Sequence, residues 1–129
     1  MADNRFRQDF FDELKSFVGG IPAVSVLSGE IDTQGNWWIK LNIDIDHQLA
    51  WNVVQEFGHI LNYLSVGERL PTVFKPVSPP PYLNGGPRDY LSWVIETNEP
   101  VPPRALKELL KGRLPKPVDN LEAWPQDDE

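Results

Sequence analysis

Two short clusters of acidic and histidine side chains hold the residue types that could bind a divalent metal ion or transfer protons. Asp44, Asp46 and His47 form the first cluster, and Glu56 with His59 forms the second. Carboxylate oxygens and imidazole nitrogens serve in both kinds of chemistry. A strong metal site needs at least three converging ligands, but the chain has two histidines and no HExxH motif. His47 lies twelve residues before His59, or about 18 Å along a helix, so we expect no shared ion, no metal site and no cofactor.

Simpler structural roles account for both clusters. Asp46 is placed to cap a helix that begins at His47, and Glu56 and His59 fall on the polar face of that helix. The chain also lacks the GxGxxG, P-loop and GxSxG motifs, so no catalytic residue is predicted. The alternative function is an enzyme or small-ligand binder with a pocket beneath the long loop described next, built from Asp44, His47, Glu56 or His59.

A loop dense in proline and glycine separates two strand-like runs. It reads Ser-Pro-Pro-Pro-Tyr-Leu-Asn-Gly-Gly-Pro-Arg over residues 78–88. Consecutive prolines favour a stiff polyproline II conformation, and Asn-Gly-Gly supplies turn residues that accept positive φ. A stiff loop loses little entropy on binding, and Pro-Pro-Pro-Tyr satisfies the PPxY pattern that WW domains recognise. Five loop residues are therefore candidate binding residues: Pro79, Pro80, Pro81, Tyr82 and Arg88.

The other interpretation of this loop is purely structural. Its prolines would then rigidify a hairpin connection, and Tyr82 would pack on the body of the domain. Hairpin loops usually take about 2–5 residues, so the length from 79 to 88 exceeds what a connection needs. This excess favours a surface for binding.

The run from Trp37 to Asp46 supplies the other candidate surface. Apolar side chains at the odd positions alternate with Trp38, Lys40, Asn42, Asp44 and Asp46. Strict alternation predicts a strand with one buried and one wetter face. A tryptophan among polar neighbours is typical of an interface, so Trp38 is a candidate binding residue. The alternative is a solvated face on which Trp38 packs across neighbouring strands.

Charge is distributed unevenly along the 129 residues. The chain has a formal net charge of −7, which makes nucleic-acid binding unlikely as a general function because phosphate neutralisation needs a basic face. The exception is a basic segment over residues 104–116, which no aromatic residue interrupts. Base stacking is therefore not expected there.

The length favours a single domain, which we place at 1–125, with an acidic frayed tail over 126–129. There is no cysteine, no apolar core of a signal peptide at the N-terminus and no apolar run of 18 residues. We therefore expect a cytoplasmic protein with no disulfide and no membrane association.

Hydrophobic periodicity predicts the order α-β-β-α-β-β-α. The predicted helices are 4–18, 47–65 and a short one from Pro102 to Gly112; the predicted strands are 22–31, 37–46, 72–77 and 90–97. Pro76 cannot donate to a ladder, so 72–77 should be an edge strand or should end at Pro76. Gly58 inside the second helix would be explained by close packing on another backbone. The expected fold class is α+β, a two-layer sandwich with a mostly antiparallel four-stranded sheet and helices on one face.

This order and the acidic charge resemble small bacterial accessory proteins, such as secretion chaperones and toxin-neutralising immunity proteins, in size and element order alone. We predict a small soluble, bacterial-type, non-enzymatic protein-interaction or accessory protein. It would bind a protein partner through the 78–88 loop and the sheet face turned away from the helices. Self-association through strand 72–77 or through Trp38 is a further possibility.

Overall fold

The computed structural model describes residues 3–77 and 92–124. In chain order its elements are α1 (Asp3–Gly19), β1 (Val24–Ile31), β2 (Trp37–Ile43), α2 (Ala50–His59), β3 (Thr72–Val77), β4 (Ser92–Thr97) and α3 (Pro103–Arg113). Helix α2 continues without a break through a π-helical turn, Ile60–Leu64, and a last α-helical turn, Ser65–Gly67. The strands form one antiparallel sheet in the order β1-β2-β4-β3.

The three helices pack on one side of this sheet, so the predicted two-layer α+β sandwich is confirmed. Apolar residues at one face of each strand meet the apolar stripes of the helices, which is the usual way in which both surfaces are removed from water. Phe11 and Leu14 of α1, Phe57 of α2 and Leu106 of α3 are fully buried. Ile39 lies at the centre of the sheet and is also fully buried.

Strand β2 has the predicted alternation but ends earlier than predicted. Burial alternates without exception from Trp37 to Ile43. The prediction of a strand to Asp46 was wrong because the Asp44 carboxylate accepts a hydrogen bond from the backbone N–H of Asp46 at 3.0 Å. This local turn takes the chain out of the ladder, although the apolar residue Ile45 continues the alternating sequence pattern.

Helix α2 begins later than predicted, and its start has no side-chain cap. The N-cap position is Leu49, so the assignment of Asp46 as the cap was wrong. The explanation for Gly58 was wrong too: a Cβ atom at this position would meet nothing within 4 Å. This glycine is therefore not required by close packing.

The π-helical turn joins α2 to the edge strand β3. The Asn62 side chain accepts from the backbone N–H of Phe74 at 2.6 Å and donates to the Phe74 carbonyl oxygen at 2.9 Å. One turn on, Ser65 and Thr72 both donate their hydroxyl groups to the carbonyl oxygen of Leu61, at 2.6 and 2.8 Å. Both backbone groups of Phe74 that point away from β4 are thus satisfied by a helix side chain.

The C-terminal part of the described chain is anchored by a buried tryptophan. Trp124 is 1% exposed, and its indole N–H donates to the carbonyl oxygen of Val118 at 2.9 Å. Trp37 makes a similar bond from β2 to the carbonyl oxygen of Val101, at 2.8 Å. The Trp37 bond ties the connection between β4 and α3 to the sheet, and the Trp124 bond closes the segment that follows α3.

Candidate functional site

The outer sheet face, meaning the sheet surface turned away from the helices, consists of three rows of side chains. Directly paired residues of antiparallel strands share a face, so the register defines the rows. We name the first two the Trp38 row and the lysine row. In the order β1-β2-β4-β3, the three rows are Glu30-Trp38-Glu96-Val73, Ser28-Lys40-Val94-Lys75 and Ser25-Asn42-Ser92-Val77.

Trp38 lies at the middle of its row with 36% of its surface exposed. Paired side chains on one sheet face have Cβ atoms about 4.5–5.5 Å apart, so a carboxylate side chain stands on either side of the indole, from Glu30 and Glu96. The neighbouring Thr97 hydroxyl accepts from the Trp37 backbone N–H at 3.0 Å. This bond fixes the end of the β2–β4 pairing, and with it the row.

An open concavity of about 200 Å³ lies at this end of the sheet. Its lining includes Trp38 and the three acids Glu30, Asp32 and Glu96, and it includes no basic residue. Lys75 reaches Glu96 from β3, with 3.0 Å between its Nζ and Glu96 Oε2. The three acids of the lining together with Lys75, which lies outside the lining, have a formal charge of −2.

Asp32 and Asn36 form the rim of the concavity. One carboxylate oxygen of Asp32 accepts from the backbone N–H groups of Gln34 and Asn36, at 2.8 and 3.0 Å. The side-chain oxygen of Asn36 is buried and has no hydrogen-bond donor within the described residues. The rim is therefore a turn held by the Asp32 carboxylate, with one buried acceptor, the Asn36 side-chain oxygen, left without a donor among the described residues.

The lysine row has the opposite charge. Val94 is 8% exposed on the central strand β4, and it stands between the side chains of Lys40 and Lys75. Lysine stems can cover apolar surface while the ammonium group stays in water. An acidic row thus lies beside a basic row, two residues apart along each strand.

The 78–88 loop, with Pro79, Pro80, Pro81, Tyr82 and Arg88, lies outside the described residues. The nearest described residues before and after this loop are Val77 and Ser92, which pair with each other in the third row. Glu96 in the Trp38 row is four residues along β4 from Ser92, or about 13 Å. The structure thus places Trp38 at one end of the sheet and the Val77–Ser92 pair at the other.

The acid–histidine residues serve local structure. Asp44 makes the turn described above, and the Nδ1 atom of His47 accepts from the backbone N–H of Leu49 at 3.0 Å. The His59 ring stacks on Tyr63, with 5.6 Å between ring centroids. Glu56 lies on α2 between them. Across residues 3–77 and 92–124, no three His, Asp or Glu side chains come together as metal ligands.

Sequence reasoning missed three exposed apolar side chains on α2 and on the turns that continue it. Trp51 is 56% exposed, Tyr63 70% and Val66 61%. Twelve residues separate the two aromatic rings, or about 18 Å of helix, so Trp51 stands apart from the other two. The exposure of Trp51 could have been predicted from the sequence, because helical spacing puts position 51 on the same side of the helix as the polar residues Asn52 and Gln55.

The basic segment is partly neutralised within the chain. Lys107 lies 3.8 Å from Glu13 of α1, and Arg113 lies 3.9 Å from Glu68 at the end of α2. The Arg104 guanidinium lies over the Phe10 ring, 5.3 Å from its centroid. These contacts join α3 to its neighbours and reduce the charge it offers to a polyanion.

Within the described ranges, every helix is too short or too polar to cross a bilayer. In comparisons with known proteins, no family model, no curated protein and no solved structure matched the chain.

Proposed function

We propose that the chain is a non-enzymatic binding protein that holds a protein partner on its outer sheet face. The observation that carries the proposal is the half-exposed indole of Trp38, set among charges on the sheet face that the three helices leave uncovered. Tryptophan is enriched at the energetic centres of interfaces because it adds a large apolar area with few rotamers to freeze.

The charge pattern around Trp38 supports recognition rather than bare solvation. An acidic row beside a basic row gives the face a polarity, and such patterns select partners by electrostatic complementarity. The exposed aromatic rings on α2 have no comparable arrangement. Trp51 is a single exposed side chain, and single exposed apolar residues are ordinary on protein surfaces.

The proline-rich loop is proposed as a second contact with the same partner. Val77 and Ser92, the nearest described residues on either side of it, lie in the third row, about 13 Å from Trp38. A standard interface buries roughly 800 Å² on each partner, which is enough to span that distance. Tyr82 and Arg88 supply the side-chain types that hot spots favour.

No observation within the described residues favours an enzyme or a small-ligand binder. Of the residues proposed for that alternative, Asp44 and His47 accept hydrogen bonds from backbone N–H groups in local turns. The three concavities that the structure describes are lined by other residues.

The experiment is affinity capture from a lysate of the source organism with tagged wild-type protein and two tryptophan variants. We expect Trp38→Ala to lose the proteins that the wild type enriches, as measured by quantitative mass spectrometry. Trp51→Ala is the matched control, since it removes the same side chain from an exposed site on α2. It should retain them.

Folding of each variant is checked by urea unfolding, where both should remain within about 1 kcal/mol of the wild type. Tyr82→Ala tests the loop separately. If Trp38→Ala captures the same proteins at the same yield as the wild type, the proposal is wrong.

A further inference from the structure

We infer that the Trp38 row recognises an arginine side chain of the partner, an inference that rests on the proposed function. The concavity beside Trp38 has three carboxylates in its lining and no basic residue, and Lys75 offsets only one of them. An open surface site of this charge favours a cation. The overall charge of −7 adds long-range attraction for a basic partner.

The indole adds a requirement on the shape of the cation. A guanidinium or ammonium group over an indole face is attracted by the ring quadrupole. Arginine fits this row better than lysine because its planar group stacks on the ring and can also bond a carboxylate in a bidentate manner. Glu30 offers that carboxylate: it is exposed, and it stands directly across from Trp38.

The lysine row restricts where the cation can enter. Lys40 and Lys75 lie two residues further along β2 and β3 from the Trp38 row, about 7 Å away. Lys75 is already paired with Glu96, so Lys40 is the cation that repels a second positive charge and attracts a negative one. In an extended peptide, residues i and i+2 point to the same side at this same spacing. The face thus fits an arginine followed two residues later by an acid.

The test is a solution titration of the intact chain with a short probe, acetyl-Gly-Arg-Ser-Glu-Gly-amide, followed by ¹H–¹⁵N NMR. We expect saturable shifts at the Trp38 indole N–H and at the backbone amides of Glu30 and Glu96. The neutral isostere, with citrulline in place of arginine, should give no saturable shift. Added salt should weaken binding of the arginine peptide, because the site is at the surface.

Two variants locate the site. Glu30→Gln should weaken the Kd for the arginine peptide about twofold to fivefold, the range expected for an exposed charge pair or a cation–π contact, and Trp38→Ala should do at least as much. Glu68→Gln is the matched control, because it makes the same charge change away from the outer sheet face. Glu68 pairs with Arg113 of α3. Its Kd should equal that of the wild type.

The outcomes separate this inference from the proposed function. If citrulline and arginine peptides bind alike, or if the shifts lie away from the Trp38 row, the arginine site is refuted. Partner capture that still depends on Trp38 would then leave the binding function standing. A concentration-dependent dimer that Trp38→Ala abolishes would assign the face to a second copy of the chain and also overturn the inference.

Discussion

Two glycines have opposite surroundings, and the difference has measurable consequences. A Cβ atom at Gly29 would lie 2.9 Å from the backbone oxygen of Trp38 and 3.3 Å from the Phe11 ring. At Gly58 it would meet nothing within 4 Å. Gly29 therefore allows α1 to approach the β1–β2 hairpin closely. Gly58 adds only backbone freedom to a helix.

We expect Gly58→Ala to raise the free energy of unfolding by about 0.5–1 kcal/mol, because alanine loses less backbone entropy in a helix. Gly29→Ala should lower it by about 1–3 kcal/mol, because the added methyl group overpacks a rigid contact. Urea unfolding of both variants measures these two changes in the free energy of unfolding, which should have opposite signs. A destabilised Gly58→Ala variant would mean that this position has a neighbour the described residues do not include.

At the scale of single residues, sequence reasoning was accurate where burial followed a simple period. It identified Trp38 as a residue of the outer sheet face because strand alternation fixes its side. It misassigned Asp46 as a cap because the competing turn is made by a side chain, Asp44, two positions earlier. Such local side-chain bonds depend on the backbone conformation that they help to create, so the pattern alone did not reveal them.

Among the elements, the edge strand β3 is joined to the continuation of α2 through the side chain of Asn62. Asn62 binds both outward backbone groups of Phe74, on the sheet edge that sequence reasoning correctly assigned to 72–77. Exposed strand edges tend to pair with other chains. The Asn62 contact therefore reduces what this edge can offer to a second copy of the chain.

We expect Asn62→Ala to lower the free energy of unfolding by about 1–3 kcal/mol, since it leaves a partly buried N–H and carbonyl without their partner. Gln55→Ala, at an exposed position of the same helix, should stay within about 0.5 kcal/mol of the wild type. Chemical denaturation gives both values. Equal stability of the Asn62 variant and the wild type would show that water replaces the side chain at no cost.

The π-helical turn that presents Asn62 was not predictable from the sequence. Apolar spacing gives a period of about 3.6 residues, and a single wider turn changes that pattern too little to detect. At this turn the carbonyl oxygen of Leu61 accepts from Ser65 and from Thr72 of β3, and the second is a tertiary contact that the spacing of apolar residues does not contain. The existence of the helix and its apolar face followed from the pattern, and its irregularity did not.

For the whole molecule, the sequence predicted the class and the layers but not the strand order. Two hairpins and three amphipathic helices allow few arrangements, and the antiparallel sandwich follows from them. The sequence does not show how the two hairpins pair. It therefore did not predict that β2 lies beside β4 with Trp38 opposite Glu96. The acidic concavity was missed for this reason, because its acids come from two hairpins that are far apart in the chain.

The domain includes its C-terminal segment at least to Trp124, which is buried against the core. Trp124→Ala should lower the free energy of unfolding by about 3–5 kcal/mol, as expected for removing a buried aromatic side chain. Trp51→Ala, at an exposed tryptophan, should change it by about 0.5 kcal/mol or less. Thermal unfolding followed by circular dichroism compares the two. A small effect at Trp124 would mean that the segment is an accessory to the domain.

The pairing of Val77 with Ser92 has a consequence for engineering. The ladder between β3 and β4 holds these two residues opposite each other. A foreign recognition sequence grafted between them would therefore begin and end on paired strand residues. A graft there would leave the Trp38 row at the other end of the strands, so one scaffold could display two separately chosen binding surfaces.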